Sequence, residues 1–397
     1  MLELSKVMAQ VDAMSLEIAR RQARYQQLVA KARRALVDFD HVDEQLKQKI
    51  QRAQEVDPTW RGARPCGESL NARITPIPAD ENASLIGVDG SQIYPDRHGP
   101  ALYYLLNTGV IVLRQGSEEA PLVDTHPQVF YTENDLYDDN LNLIHTQIVN
   151  SMRESEELGM LARWSELERA YWNDDQNRLI LAMTDGPLLI WISEEEKSAA
   201  GEKAAQERVQ AYLQQLHRIK NSLAVPIGYV ARPRSANVLR LLHVAQLEEP
   251  EITKANVRAS RYRALTDATL FHDLQPNQRT ALFSSTAQVN QTFAAANQEI
   301  CFFYINVARD AHIPQIARVD IPRWAAEQPG MLDRVHRAIY SDCDGIDYPY
   351  VLIRAHELAL VTYPERQELE NMLNIAYMRL TGENLSASIK AQLKRTF

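Results

Sequence analysis

Leu85-Ile86-Gly87-Val88-Asp89-Gly90-Ser91 is the stretch on which the reading of this chain turns. A short apolar run rich in β-formers ends in an aspartate, a glycine and a serine, the pattern of a buried strand that delivers a carboxylate to a sheet rim. A second stretch ends alike: Leu179-Ile180-Leu181-Ala182-Met183 runs into Thr184-Asp185-Gly186-Pro187. An aspartate so placed is held by a rigid element, and the glycine after it lets the backbone turn sharply and leaves room for a ligand. One Asp-Gly alone reads as a turn. Two, each closing a strand central to one sheet, read as a site, because parallel neighbouring strands bring both carboxylates to the same edge.

Working outward, apolar runs at 101–113 and 123–131 follow the first strand with short connections and predict an antiparallel meander. A helix from about Asp138 to Trp172 leads to the 179–183 strand. A helix near 202–223 leads to a strand at 225–230, and two later runs, 300–307 and 315–321, also read as strands. Three strands, helix, strand, helix, strand, helix is the order of a ribonuclease H-like α/β core, a mixed sheet with flanking helices. Residues 246–298 have weaker periodicity and read as an elaboration on it.

Before this core lies a long helical extension. Leu4, Val7, Val11, Met14, Ile18, Tyr25, Leu28 and Ala32 step by threes and fours, with one full heptad between Ile18 and Tyr25, and a second set follows at Phe39, Val42, Leu46 and Ile50. That stripe belongs to a helix packed on another helix. Pro58, Gly62, Pro65 and Gly67 break it, so the expected division is 1–57 and 58–397.

The intervening helix offers a third acid. At 100° per residue, Leu161, Trp164, Glu168 and Tyr171 share an arc of about 80°. Glu168 therefore sits in the apolar stripe, where an ionised carboxylate needs a cation or a metal. Three converging carboxylates repel unless a divalent ion neutralises them, and oxygen ligands favour Mg²⁺ or Mn²⁺ over zinc. The chemistry this suits is phosphodiester hydrolysis by metal-activated water. Gly228-Tyr229-Val230-Ala231-Arg232-Pro233-Arg234 ends a strand with an aromatic and two guanidiniums, a stacking surface and phosphate clamp. His356, in Leu352-Ile353-Arg354-Ala355-His356-Glu357-Leu358, reads either as a core residue or as a metal ligand and proton shuttle. No Walker loop, Gly-x-Gly-x-x-Gly or Gly-x-Ser-x-Gly occurs, which excludes the usual nucleotide-hydrolysis and serine-hydrolase readings.

Composition sets the outer bounds. The 397 residues are 45% hydrophobic and 24% charged, with 43 basic against 52 acidic side chains and a formal charge of −9. That excludes a histone-like polycation but not a nuclease, whose own site is acidic. No run of about 18 apolar residues predicts a spanning helix. Cys66, Cys301 and Cys343 form neither a disulfide framework nor a zinc pattern, and no secretory leader is evident, so a cytoplasmic protein is expected.

Taken in order, Val88-Asp89-Gly90-Ser91, the Glu168 helix, Asp185-Gly186-Pro187-Leu188, Gly228-Tyr229 to Arg232-Pro233, Arg318-Val319-Asp320-Ile321-Pro322 and Tyr348-Pro349 with Ala355-His356 resemble the NurA nucleases over roughly 85–361. The resemblance implies a ribonuclease H-like homodimer that cleaves DNA with Mn²⁺ or Mg²⁺. It also implies 5′→3′ exonuclease and single-strand endonuclease activity beside a HerA-type hexameric ATPase in DNA end resection. Carried over by position, Asp89, Glu168 and Asp185 match the metal-binding acids and His356 the catalytic histidine. One departure is Ala231, where many members carry lysine. The competing expectation is a non-catalytic DNA-binding partner that regulates a DNA-translocating ATPase.

Overall fold

The computed structural model describes residues 3–41, 43–79, 81–137, 141–173, 175–190 and 202–385. Among them nine strands form the frame: β1 (Ala63–Pro65), β2 (Ala83–Ile93), β3 (Tyr104–Arg114), β4 (Leu122–Phe130), β5 (Leu179–Asp185), β6 (Val225–Val230), β7 (Phe283–Ser285), β8 (Ile300–Asn306) and β9 (Ile316–Pro322). They make a mixed sheet in the order β1-β7-β8-β9-β6-β5-β2-β3-β4. β2, β3 and β4 form the antiparallel meander, and β5 lies along the other edge of β2 in parallel, from Ala83↔Leu179 to Val88↔Thr184. A parallel pair needs a crossover of a dozen residues or more, which the Thr146–Tyr171 helix supplies. This is the ribonuclease H-like order expected from the sequence. The helix begins later than the expected Asp138, and residues 138–140 lie outside the described ones.

The chain divides into two compact units. The first holds residues 1–79, 186–190 and 228–348. In its core Leu36, Leu46 and Ile50 pack with Leu239, Leu242, Phe271, Phe283, Phe302 and Tyr304. The 246–298 stretch is tied into this core by Asp267. Its fully buried carboxylate accepts the Val238 and Leu239 backbone N–H groups, each at 3.0 Å, and the Tyr304 hydroxyl at 2.8 Å. Those amides are among the orphan donors that open the Asn237–Ala245 helix, so one residue of the elaboration caps a core helix.

The apolar stripe of the Met8–Asp38 helix has two fates. Leu4, Met8, Val11, Met14, Leu16 and Ile18 are exposed, whereas Val29, Ala32, Ala35 and Leu36 are buried in the first unit. Removing residues 1–20 should leave thermal unfolding nearly unchanged. Removing 1–50 deletes Leu36, Leu46 and Ile50, each worth roughly 1.5–3 kcal/mol of burial, and should unfold the first unit. Scanning calorimetry and limited proteolysis of the two truncations check this, and a native-like 51–397 chain would contradict it.

The second unit holds residues 80–185, 191–227 and 349–397. The Tyr350–Ala359 helix is fastened to its sheet at the helix end: Asn107 Nδ2 (2.8 Å) and the Ser91 hydroxyl both donate to the Ala359 carbonyl. That fixes the last helical turn, which carries His356, over β2.

Candidate active site

Asp89 sits at the centre of a chain of charged groups in the second unit. Its Oδ2 lies 2.7 Å from His356 Nδ1. An ionised carboxylate only accepts, so it fixes the tautomer with hydrogen on Nδ1 and leaves Nε2 facing away. The imidazole is 68% exposed, so His356 is not the core residue of the first alternative. Asp89 Oδ1 accepts the Gly90 N–H at 2.9 Å and lies 4.0 Å from Arg153 Nη1.

Arg153 comes from the Thr146–Tyr171 helix. Its Nη1 also contacts Glu157 Oε1, one turn further along that helix, and donates to the Gly90 carbonyl at 3.3 Å. Gly90 permits this approach, since a Cβ there would stand 2.6 Å from Glu157 Oε1 and 2.8 Å from Arg153 Cγ. Burial pushes the Glu157 carboxyl up to about 8. The Arg153 cation opposes that rise and the charge on Asp89 adds to it.

Asp185 is exposed at the end of β5. The parallel pairing of β2 with β5 is given through Val88↔Thr184, and one residue further on each strand stand Asp89 and Asp185. Neighbouring strands are about 4.8 Å apart, so the same register carried one residue on would set Asp185 beside Asp89. After Asp185, Gly186 adopts φ +140, a conformation that favours glycine, and its N–H donates to the Tyr229 carbonyl at 2.8 Å. The next turn is pinned by the Leu188 N–H, which donates to buried Asp320 Oδ2 at 3.1 Å. Asp320 is in turn paired with Arg318 at 2.7 Å.

Glu168 is elsewhere, a correction to the expected triad. Its carboxylate accepts Arg114 Nη2 at 2.9 Å, Arg114 Nε at 3.0 Å, the Ser84 hydroxyl at 2.6 Å and Trp172 Nε1 at 2.6 Å. Burial pushes this carboxyl up, but the hydrogen bonds from Arg114, Ser84 and Trp172 outweigh it and hold the group below the usual range. Ser84 precedes Asp89 by five strand residues, or about 17 Å. Glu157 precedes Glu168 by eleven helical residues, or about 16 Å. The helix thus runs against β2 with one acid at each end, and Glu157 is the one beside Asp89.

The criterion that singled out Glu168 also reaches Glu157. Counted from buried Val149, Glu157, Glu168 and Leu161 fall at about 80°, 100° and 120° on the helix wheel, one stripe. Arg153 at i−4 from Glu157 is a further signal.

Tyr229, Arg232 and Arg234 belong to the first unit. Tyr229 is fully buried with its ring edge-on to Tyr348, centroids 5.3 Å apart, so it offers no face for a base to stack on. That corrects its expected role. Arg232 and Arg234 are exposed.

At the Ile93 end of β2, a cavity of about 490 Å³ is lined by Gln92, Tyr94, Asp96, Thr362, Tyr363 and Arg366 among others. It has the volume of a small-ligand site and a mixed aromatic and polar wall.

The chain matches the family model described as the NurA domain over residues 83–361. No curated protein matches it. Among solved structures, the NurA nuclease from Sulfolobus solfataricus aligns with 84% of this chain and 91% of its own, at 12% identity and a TM-score of 0.46. The catalytic domain of human endonuclease V aligns with 84% of this chain and 99% of its own, at 12% identity and a TM-score of 0.31. Endonuclease V of Ciona intestinalis, in complex with a 24mer DNA containing an inosine followed by a ribo-adenosine, aligns with 83% of this chain and 100% of its own, at 14% identity and a TM-score of 0.31. Because the family model spans most of the chain, the conclusion is direct: this protein belongs to the NurA family of nucleases.

Proposed function

We propose that the chain is a divalent-metal-dependent deoxyribonuclease that cuts single-stranded DNA internally and digests strands from the 5′ end. The observation that carries this reading is Asp89, held between His356 on one oxygen and the Arg153–Glu157 pair near the other.

Among the described residues, no group of three or more His, Cys, Asp or Glu side chains is gathered so as to hold a metal ion. The oxygens around Arg153 Nη1 nevertheless mark a place where positive charge sits, and their chemistry suits Mn²⁺ or Mg²⁺. Asp89 and Glu157 would hold the ion, with Glu157 taking the role first expected of Glu168. When bound, such an ion lowers the pKa of an attacking water and neutralises charge on the phosphate. His356 Nε2, free of hydrogen in the tautomer that Asp89 fixes through Nδ1, would take a proton from the attacking water and pass it to the leaving oxygen. Arg232 and Arg234 would contact the DNA phosphates.

The reading extends to a homodimer acting in DNA end resection with a HerA-type hexameric ATPase. The exposed apolar row of Leu4, Met8, Val11, Met14 and Ile18 supports a docking role for the N-terminal helix. Three free cysteines support a reducing cytoplasm, and no helix among the described residues is long and apolar enough to cross a membrane.

The test uses 5′- and 3′-labelled single-stranded DNA with Mn²⁺, with Mg²⁺ and with EDTA. Cleavage should require metal, shorten 5′ ends progressively and fall at least about a hundredfold in Glu157→Gln. DNA binding with no metal-dependent cleavage would favour the non-catalytic partner instead.

A further inference from the structure

We infer that Arg153 is the built-in occupant of the cation position, and that a divalent ion binds between Asp89 Oδ1, the Gly90 carbonyl and Glu157 Oε1 only by displacing its guanidinium. This rests on the reading of the site as metal-dependent. It goes further by naming a backbone ligand and a residue that competes with the ion.

The geometry is that of a cation site already filled. One nitrogen, Nη1, meets Glu157 Oε1, lies 3.3 Å from the Gly90 carbonyl oxygen and 4.0 Å from Asp89 Oδ1. Three oxygens from two carboxylates and a main-chain carbonyl are the donors a hard divalent ion selects. A helical i,i+4 pair needs only its own two side chains, and Arg153 and Glu157 would satisfy one another anywhere on the helix surface. Here the pair is instead driven against the strand. The Arg153 stem passes over Gly90, its Cγ and Cδ 2.8 and 3.3 Å from where a Cβ would stand. That arrangement brings a carbonyl from β2 into the cluster.

A guanidinium and a divalent ion cannot share these oxygens, because like charges within a few ångströms repel strongly in a partly desolvated site. The side chain has a way out, since it is 22% exposed and hinges at a helix surface. Released, it stays close to the bound ion and can pair with an anionic phosphate there. Metal entry and arginine release are therefore one exchange.

The experiment is isothermal titration of the full chain with MnCl₂, without DNA, comparing wild type with Arg153→Gln, Arg153→Lys and Glu157→Gln. Removing the competitor should tighten Mn²⁺ binding at least about tenfold in Arg153→Gln, and Arg153→Lys, which keeps the charge, should stay near wild type. Glu157→Gln should weaken binding at least about tenfold. Far-UV circular dichroism and thermal unfolding establish that each variant is folded. Equal or weaker binding by a folded Arg153→Gln overturns the exchange and leaves the metal reading standing. Absence of Mn²⁺ binding in every protein, wild type included, overturns both.

Discussion

Asp89→Asn should lower cleavage of single-stranded DNA by at least about a thousandfold, the several kcal/mol that charge stabilisation by a bound ion contributes to phosphoryl transfer. The substitution is nearly isosteric, so the loss is chemical. Both carboxylate oxygens face donors: His356 Nδ1 at 2.7 Å on one side, Arg153 Nη1 at 4.0 Å and the Gly90 N–H at 2.9 Å on the other. An amide can keep only one side as acceptor. If its NH₂ turns to His356, the imidazole must take the other tautomer and Nε2 then carries the proton at the wrong stage. If it turns to Arg153, two donors confront each other. In either orientation the negative charge has gone. Stability should change little, because Asp89 is held at a strand by backbone pairing from Ser84↔Arg114 to Ile93↔Leu105 and is not a core anchor. Single-turnover cleavage in Mn²⁺ beside a thermal melt separates the two effects. A variant that cuts at the wild-type rate, in a preparation free of other nucleases, would remove Asp89 from the chemistry.

The strands were legible because they depend on local pattern, and the meander followed from three apolar runs with short links. Their ends were less so: β5 stops at Asp185 as expected, but β2 runs on through Gly90 and Ser91 to Ile93, because pairing with β3 carries it past the Asp-Gly. The parallel pairing of β2 with β5, from Ala83↔Leu179 to Val88↔Thr184, is what no local pattern encodes. The pairing of Glu168 with Arg114 was not legible, for a physical reason. Periodicity tells which acids face inward but not which end of the helix meets which end of the strand, and Glu157 and Glu168 are on the same stripe. What separates them is Arg114, contributed by β3 from 54 residues away. Tyr229 failed similarly, since a tyrosine at a strand end reads alike whether solvent or Tyr348 covers it. In the N-terminal helix the same threes and fours run through exposed Met14 and buried Leu36, so the repeat announces a partner without saying where contact begins. Asp267 gives no local signal at all, because its partners are the amides of a helix 28 and 29 residues earlier.

Glu168→Ala supplies the converse of Asp89→Asn: a folding defect at an acid first read as catalytic. Arg114 has a side chain only 7% exposed, and Glu168 one only 2% exposed. Around them Arg114 lies 3.7 Å over the Tyr171 ring, Arg178 lies 4.0 Å over the Trp172 ring, and Arg178 Nε donates to the Ser84 hydroxyl at 2.8 Å. Removing the carboxylate leaves two guanidiniums in one small pocket, with Glu119, 4.0 Å from Arg114 and half exposed, as a remaining and weaker partner. Breaking a buried pair from one side typically costs about 3–5 kcal/mol. For a unit of this size that corresponds to a fall of roughly 5–15 °C in the unfolding temperature. Replacing both partners, as in Arg114→Met with Glu168→Leu, should recover much of the loss, because the uncompensated charge disappears with its partner. Glu157→Gln should show the opposite profile, with cleavage lost and the melt retained. Below the melting temperature of the single variant, the Glu168→Ala molecules that remain folded should cut DNA at close to the wild-type rate per active site, measured by titrating active enzyme. If Glu168→Ala instead keeps its unfolding temperature and loses cleavage, then Glu168 belongs with the metal ligands and the assignment of Glu157 is wrong.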